Sequence, residues 1–215
     1  MLNRPAARDQ IKKILLERIL SGHYQPGERL IELQIANELQ TSQAPVREAF
    51  RYLEALRVVE TETYKGTRVR SITQKELEES STVRATLEQL AAQLSAPSFK
   101  DNVGSLKHQS DLFLKAAADK DVARYSECDI EFHRMIVQQS DNQLLLSIWE
   151  SVVLESRFRI TLKQIGEEQL EEFGKAHLPI IDSLNKGNGQ MAGKQLKLLI
   201  CKFHFLKSSD GDRSA

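Results

Sequence analysis

The chain has 215 residues, 40% hydrophobic and 28% charged, with 30 Lys/Arg against 30 Asp/Glu. That length suits two domains or one of generous size, and no apolar run approaches the roughly 18 residues a membrane span requires. The start, MLNRPAARDQIKK, lacks the apolar core of a secretory signal, and Cys128 and Cys201 lack disulfide or metal-site spacing, so a cytoplasmic chain with no membrane partner is expected. Charge is unevenly spread: residues 1–72 hold 12 Lys/Arg and 9 Asp/Glu and the remainder 18 and 21, a modest basic lean at the front.

Residues 1–7 read as a loose tail, and a first helix spans about Arg8 to Ser21. Tyr24-Gln25-Pro26-Gly27-Glu28-Arg29-Leu30 reads as a turn. A helix from Glu32 to Leu39 follows, with Leu33, Ile35, Ala36 and Leu39 at core spacing. The next begins around Gln43 to Pro45, with Thr41 or Ser42 as N-cap and Pro45 in the first turn, where a missing N–H costs nothing. Val46, Ala49, Phe50 and Leu53 form its core face, while Gln43, Arg47 and Arg51 recur every four residues on another. A helix seated by one face with Arg and Gln on the opposite row has the form of a DNA recognition helix. Plain surface charge on a helical hairpin is the competing reading of Arg47 and Glu48. The β-prone run Val58 to Tyr64 and the basic run Lys65-Gly66-Thr67-Arg68-Val69-Arg70 make a two-stranded ribbon with Gly66 at its tip. Helix pair and basic ribbon together predict a winged helix-turn-helix domain over residues 1–72.

These residues resemble a known family. Ile19-Leu20-Ser21-Gly22, Pro26-Gly27-Glu28-Arg29-Leu30, Ala36, Leu39, Ser42, Pro45-Val46-Arg47-Glu48-Ala49, Leu53-Glu54 and Gly66-Thr67-Arg68-Val69 fall in order and at the spacings of the GntR family of bacterial transcription regulators. The resemblance implies that Gln43 and Arg47 read base edges, Ser42 and Arg51 hold phosphates beside Pro45, and Lys65, Gly66 and Arg68 place the wing. One departure stands out: the family's guanine-reading Arg after the Ser is here Gln43, and Gln pairs bidentately with adenine.

From Thr73 onward the pattern is helical, opening on a Thr73-x-x-Glu76 capping box. Helices are expected near 74–96, 102–119, 121–139, 142–165, 167–186 and 189–207, giving a mostly α chain whose residues 73–215 form an all-α bundle of six to seven helices. This part resembles the FCD-type C-terminal domain of the family's FadR branch. The residues carrying the likeness are Val83-Arg84, Leu87-Glu88, Ala91-Ala92, Leu94, Asp129, Phe132-His133, Ser140-Asp141-Asn142, Leu145, His177, Ile180-Ile181, Leu184 and Gly187. The resemblance implies a homodimer on palindromic operator DNA, with a small carboxylate effector bound in the bundle and a divalent metal held there in many relatives.

Asp129 and His133 are four apart and share one face of a helix, and His177 on another helix completes a trio. They match three of the four ligands of metal-binding relatives. The fourth position falls near Leu199, so that usual ligand is absent, and the nearest histidine is His204. Two imidazoles and a carboxylate suit Zn²⁺, Ni²⁺ or Fe²⁺ with open positions for water or an effector carboxylate; interior histidines bonded to their neighbours are the alternative. Arg84 occupies a place where relatives put an effector-binding Arg, whose fork matches a carboxylate, with a salt bridge to Glu88 as the other reading. Trp149 reads as packing, alongside Leu145, Ile148, Val152 and Phe158. His23 and His108 read as surface residues. The trio also resembles the iron set of non-haem oxygenases, but no base or oxyanion donor accompanies it. The reading is an effector-responsive repressor, not an enzyme.

Overall fold

A computed structural model describes residues 4–160 and 169–205. The chain divides into two compact units, Met1–Thr73 and Gln74–Ala215. No helix among the described residues is long and apolar enough to cross a membrane.

The first unit runs α1 (Arg4–Leu20), β1 (Arg29–Leu30), α2 (Glu32–Glu38), α3 (Gln43–Ala55), β2 (Val59–Glu62) and β3 (Gly66–Val69). Ile11, Leu15 and Ile19 recur every four residues on α1 and are buried, as are Val46, Ala49, Phe50 and Leu53 of α3. The strands form one antiparallel sheet in the order β1-β3-β2, with Arg29 opposite Arg68 and Thr61 opposite Thr67. Three expectations are corrected. Helix α1 starts at Arg4, inside the expected tail. The Arg29–Leu30 segment, expected within a turn, adds a third strand because its backbone pairs with β3. Leu33 is 54% exposed, since α2 is too short to bury more than one stripe and Ile35 with Ala36 fill it.

The second unit comprises α4 (Gln74–Phe99), α5 (Gly104–Ala118), α6 (Val122–Gln139), α7 (Gln143–Ile160), α8 (Leu170–Lys175), α9 (Leu178–Asn185) and α10 (Gly189–Phe205). Starts are marked by side-chain caps: Asp121 accepts from the Arg124 N–H at 2.9 Å and Asn142 from the Leu145 N–H at 3.0 Å. Phe113, Tyr125, Phe132, Ile136, Trp149 and Leu184 are buried in one continuous core. Helix α4 runs through Pro97 to Phe99 rather than stopping before it. A proline inside a helix costs about 3 kcal/mol, and burying Phe99 offsets about 1.5–3 kcal/mol of that. Ile148 is 43% exposed, not part of the core stripe, and the Phe158 side chain lies outside the described residues, as does the end of the helix expected to reach 165.

The helix expected over 167–186 is instead two. Pro179 is the second residue of α9, where no N–H is needed, and its ring would collide with the Lys175 carbonyl if one helix ran on. The break sets His177 at the start of α9. The α10 backbone lies close against α4: a Cβ on Gly189 would stand 2.8 Å from Gln93 Cα, and one on Gly193 would stand 2.7 Å from the Gln89 carbonyl oxygen.

Candidate functional site: a nucleic-acid interface and a metal centre

Helix α3 is seated by its four buried residues, and Gln43, Arg47 and Arg51 are exposed on it. Ser42 holds the N-cap position without a capping bond from its side chain, and Pro45, third in the helix, is half-buried. Arg47 leans back on α2, where its Nε lies 3.0 Å and its Nη2 2.7 Å from the Glu32 carboxylate. That pairing raises the Arg47 guanidinium above its ordinary pKa, through hydrogen bonding first and charge second.

The ribbon tip is built by two left-handed residues, Tyr64 at φ 67° and Gly66 at φ 84°. Lys65 is exposed beside Glu62, 2.5 Å away. Arg68 is half-buried, and its Nη1 donates to the Gly27 carbonyl at 3.2 Å, tying wing to turn. Tyr64 was not singled out in the sequence, yet its side chain is wholly exposed at the tip. A non-glycine residue held in the left-handed region is strained. The available signal was its place two residues before the tip glycine.

In the second unit Asp129, His133 and His177 converge, with ligand-type atoms all within 4.8 Å of one another. Asp129 and His133 come from successive turns of α6, and the α8–α9 break delivers His177. Both rings are buried, 2% exposed. His133 Nδ1 donates to Glu88 Oε2 at 2.5 Å, and His177 Nδ1 donates to the Phe173 carbonyl at 2.9 Å. Burial alone would raise the Glu88 carboxyl, but Arg84, His133 and Trp149 outweigh it and hold it at about 2. Glu88 is therefore an ionised acceptor, and a carbonyl oxygen is an acceptor only, so both rings donate from Nδ1 and turn Nε2 toward the cluster.

The two Nε2 atoms face each other at 3.2 Å, and Asp129 Oδ1 lies 3.2 Å from that of His177. Asp129 Oδ2 is 3.9 Å from His133 Nε2. Burial pushes the Asp129 carboxyl up, but His177, His133 and Arg84 overcome it and keep it below its usual range. The two Nε2 atoms and the carboxylate form a site for a shared cation, a metal ion or a proton. The spacing fits a metal, since two nitrogens bound at 2.0–2.1 Å and 90–109° stand about 2.9–3.4 Å apart. The outward Nδ1 bonds to a carboxylate and a carbonyl are the arrangement metal-bound histidines use.

Arg84 is buried with its Nε 2.7 Å from Glu88 Oε1, so the ion pair with Glu88 is present. Trp149 packs fully buried and also donates from Nε1 to Glu88 Oε1 at 2.7 Å. Glu88 is the hub that sequence reasoning reduced to a salt-bridge partner; its signal was the Arg84–Glu88 spacing of one turn. Leu199, at the expected fourth position, is a core residue with no donor atom, and the His204 side chain lies outside the described residues. His23 and His108 are exposed.

Residues 7–69 match the gntR family of bacterial regulatory proteins, and residues 79–200 match the FCD domain. The chain belongs to the GntR family. It is a transcriptional regulator of the FCD-bearing kind, and its matched families and relatives are regulators rather than enzymes. A probable D-xylose utilization operon transcriptional repressor of Paenarthrobacter nicotinovorans is 30% identical to this GntR-family chain, over 89% of it and 84% of that relative. The gluconate operon transcriptional repressor of Bacillus licheniformis is 27% identical over 80% of this chain and 72% of its own length. A GntR regulator structure from Rhodococcus sp. RHA1 superposes with a TM-score of 0.81 at 25% identity, covering 92% of this chain and 95% of that one.

Proposed function

We propose that this GntR-family regulator is a repressor whose hold on palindromic operator DNA is set by a small organic acid bound in the helical unit, beside a divalent metal. The single observation that carries the effector half is the convergence of His133 Nε2, His177 Nε2 and the Asp129 carboxylate, all within 4.8 Å. Asp129, His133 and His177 would hold the metal. When bound, Zn²⁺, Ni²⁺ or Fe²⁺ on three protein ligands offers a Lewis-acidic point with open positions that suit a carboxylate oxygen. Arg84, two hydrogen bonds from the cluster through Glu88, is a buried cation suited to the same acid. Relatives named for D-xylose and gluconate operons support repression and make a polyhydroxy acid a natural first test.

At the other end Gln43 and Arg47 read base edges, Ser42 and Arg51 hold phosphates, and Lys65, Gly66 and Arg68 set the wing with Tyr64 at its tip. Homodimerisation finds support in Val83, Leu90 and Leu94, which are 43–48% exposed along one strip of α4. Operator binding implies a cytoplasmic chain.

A second reading has an observation behind it. The His177 Nε2 to Asp129 Oδ1 distance of 3.2 Å also fits an imidazolium–carboxylate pair, the cation being a proton. The experiment is an anisotropy titration of selected operator DNA with the full chain, with and without gluconate and with Ni²⁺ or a chelator. Metal-dependent release of DNA by the acid supports the proposal. Release indifferent to the chelator favours the proton-bridged pair, and no effect of any acid removes the effector half.

A further inference from the structure

We propose that Glu88 is the positioning residue of the metal centre: its carboxylate fixes His133 in the tautomer that leaves Nε2 free to bind a cation. This rests on the reading of Asp129, His133 and His177 as metal ligands. Glu88 is 1% exposed and its two oxygens have separate tasks. Oε1 accepts from Arg84 Nε and from Trp149 Nε1, both at 2.7 Å. Oε2 faces His133 Nδ1 at 2.5 Å. A carboxylate has no proton to give, so Nδ1 must be the donor, and the ring's lone pair is thereby directed to the cluster.

Exchanging one oxygen for an amide group reverses this. In Glu88→Gln the amide oxygen must stay on the Oε1 side, because two N–H donors already point there. The NH₂ then meets His133 Nδ1, which can only accept. The ring proton moves to Nε2, where His177 Nε2 at 3.2 Å takes it as a hydrogen bond. The volume is unchanged, but buried Arg84 loses its counter-charge, so the variant folds with reduced stability. The His133 ligand is lost, because a protonated Nε2 cannot coordinate. Arg84 belongs to the same device: with Trp149 it pins the oxygen that dictates which way the Glu88 carboxyl is spent.

The test uses full-length wild type, Glu88→Gln and Asp129→Ala, with Ni²⁺ and Zn²⁺ as the probes. Calorimetric titration reads metal affinity, and long-range ¹H–¹⁵N spectra of the histidine rings in metal-free protein read which nitrogen of His133 is protonated. We expect Nδ1 in wild type and Nε2 in Glu88→Gln, with metal affinity of the variant lower by about 10- to 100-fold or more and a lower metal-free melting temperature, since Arg84 loses its partner. Metal binding by Glu88→Gln within twofold of wild type, or a proton kept on Nδ1, overturns the inference. A wild-type His133 protonated on Nε2 and not on Nδ1 overturns it without any variant. Wild type that takes up no more metal than Asp129→Ala removes the metal reading itself, a result separate from the tautomer outcome.

Discussion

Arg47 of α3 and Glu32 of α2 form a forked ion pair, with Nε 3.0 and 3.1 Å from the two carboxylate oxygens and Nη2 2.7 Å from one. The pair stands at the surface, the Arg47 side chain being 54% exposed. Exposed pairs contribute little, so a guanine edge can outbid Glu32 for this guanidinium. Arg47→Ala should cost about 1–3 kcal/mol of operator affinity and relax selection at one base. Glu32→Gln should tighten binding to any duplex, because it removes a negative charge beside the phosphates. Anisotropy titrations on operator and scrambled DNA check both; operator affinity unchanged in Arg47→Ala would remove Arg47 from the readers.

The wing separates two kinds of cation. Lys65 is solvent-facing, so Lys65→Ala should weaken all sequences alike and lower the salt slope by about 0.9. Arg68 is anchored on the Gly27 carbonyl, and Arg68→Ala should cost about 1 kcal/mol of stability, read by urea denaturation. Tyr64→Gly should not lower the melting temperature, since left-handed φ at 67° suits glycine, while DNA affinity falls. Unaltered DNA affinity would leave Tyr64 without a role at the tip.

Gly193→Ala pits two effects against each other. Alanine is the better helix former by about 1 kcal/mol, but its Cβ would stand 2.7 Å from the Gln89 carbonyl oxygen. Overpacking costs about 1–3 kcal/mol, so the variant should be less stable in urea. A more stable variant would show that α10 can withdraw from α4 freely.

Periodicity carried much of this structure. The buried row of α3, the Asp129–His133 register on α6 and the caps at Asp121 and Asn142 are local features, and local features are legible in sequence. The break at His177 was also written locally, in Pro179, but an apolar period running across it argued for one helix. Strand β1 and the close approach of Gly189 and Gly193 depend on partners far along the chain, which no window of sequence contains. Glu88 is the instructive case. Its spacing from Arg84 was visible, but its bonds to Trp149, 61 residues away, and His133, 45 away, exist only after folding.

Metal should act as a stabilising ligand of the helical unit. At a free concentration 100 times its dissociation constant, Ni²⁺ or Zn²⁺ adds about 2.7 kcal/mol, visible as a rise in melting temperature that a chelator reverses. His133→Ala should abolish the rise while leaving DNA binding by the winged unit intact. A rise of equal size in that variant would place the metal elsewhere.

The most direct test is elemental analysis of full-length protein purified without chelators or metal-affinity resins, wild type beside Asp129→Ala. A bound divalent ion in near-stoichiometric amount in wild type, and its loss in the variant, is the result expected from three converging acceptors. Equal metal content in the two proteins, whether high or absent, would contradict it.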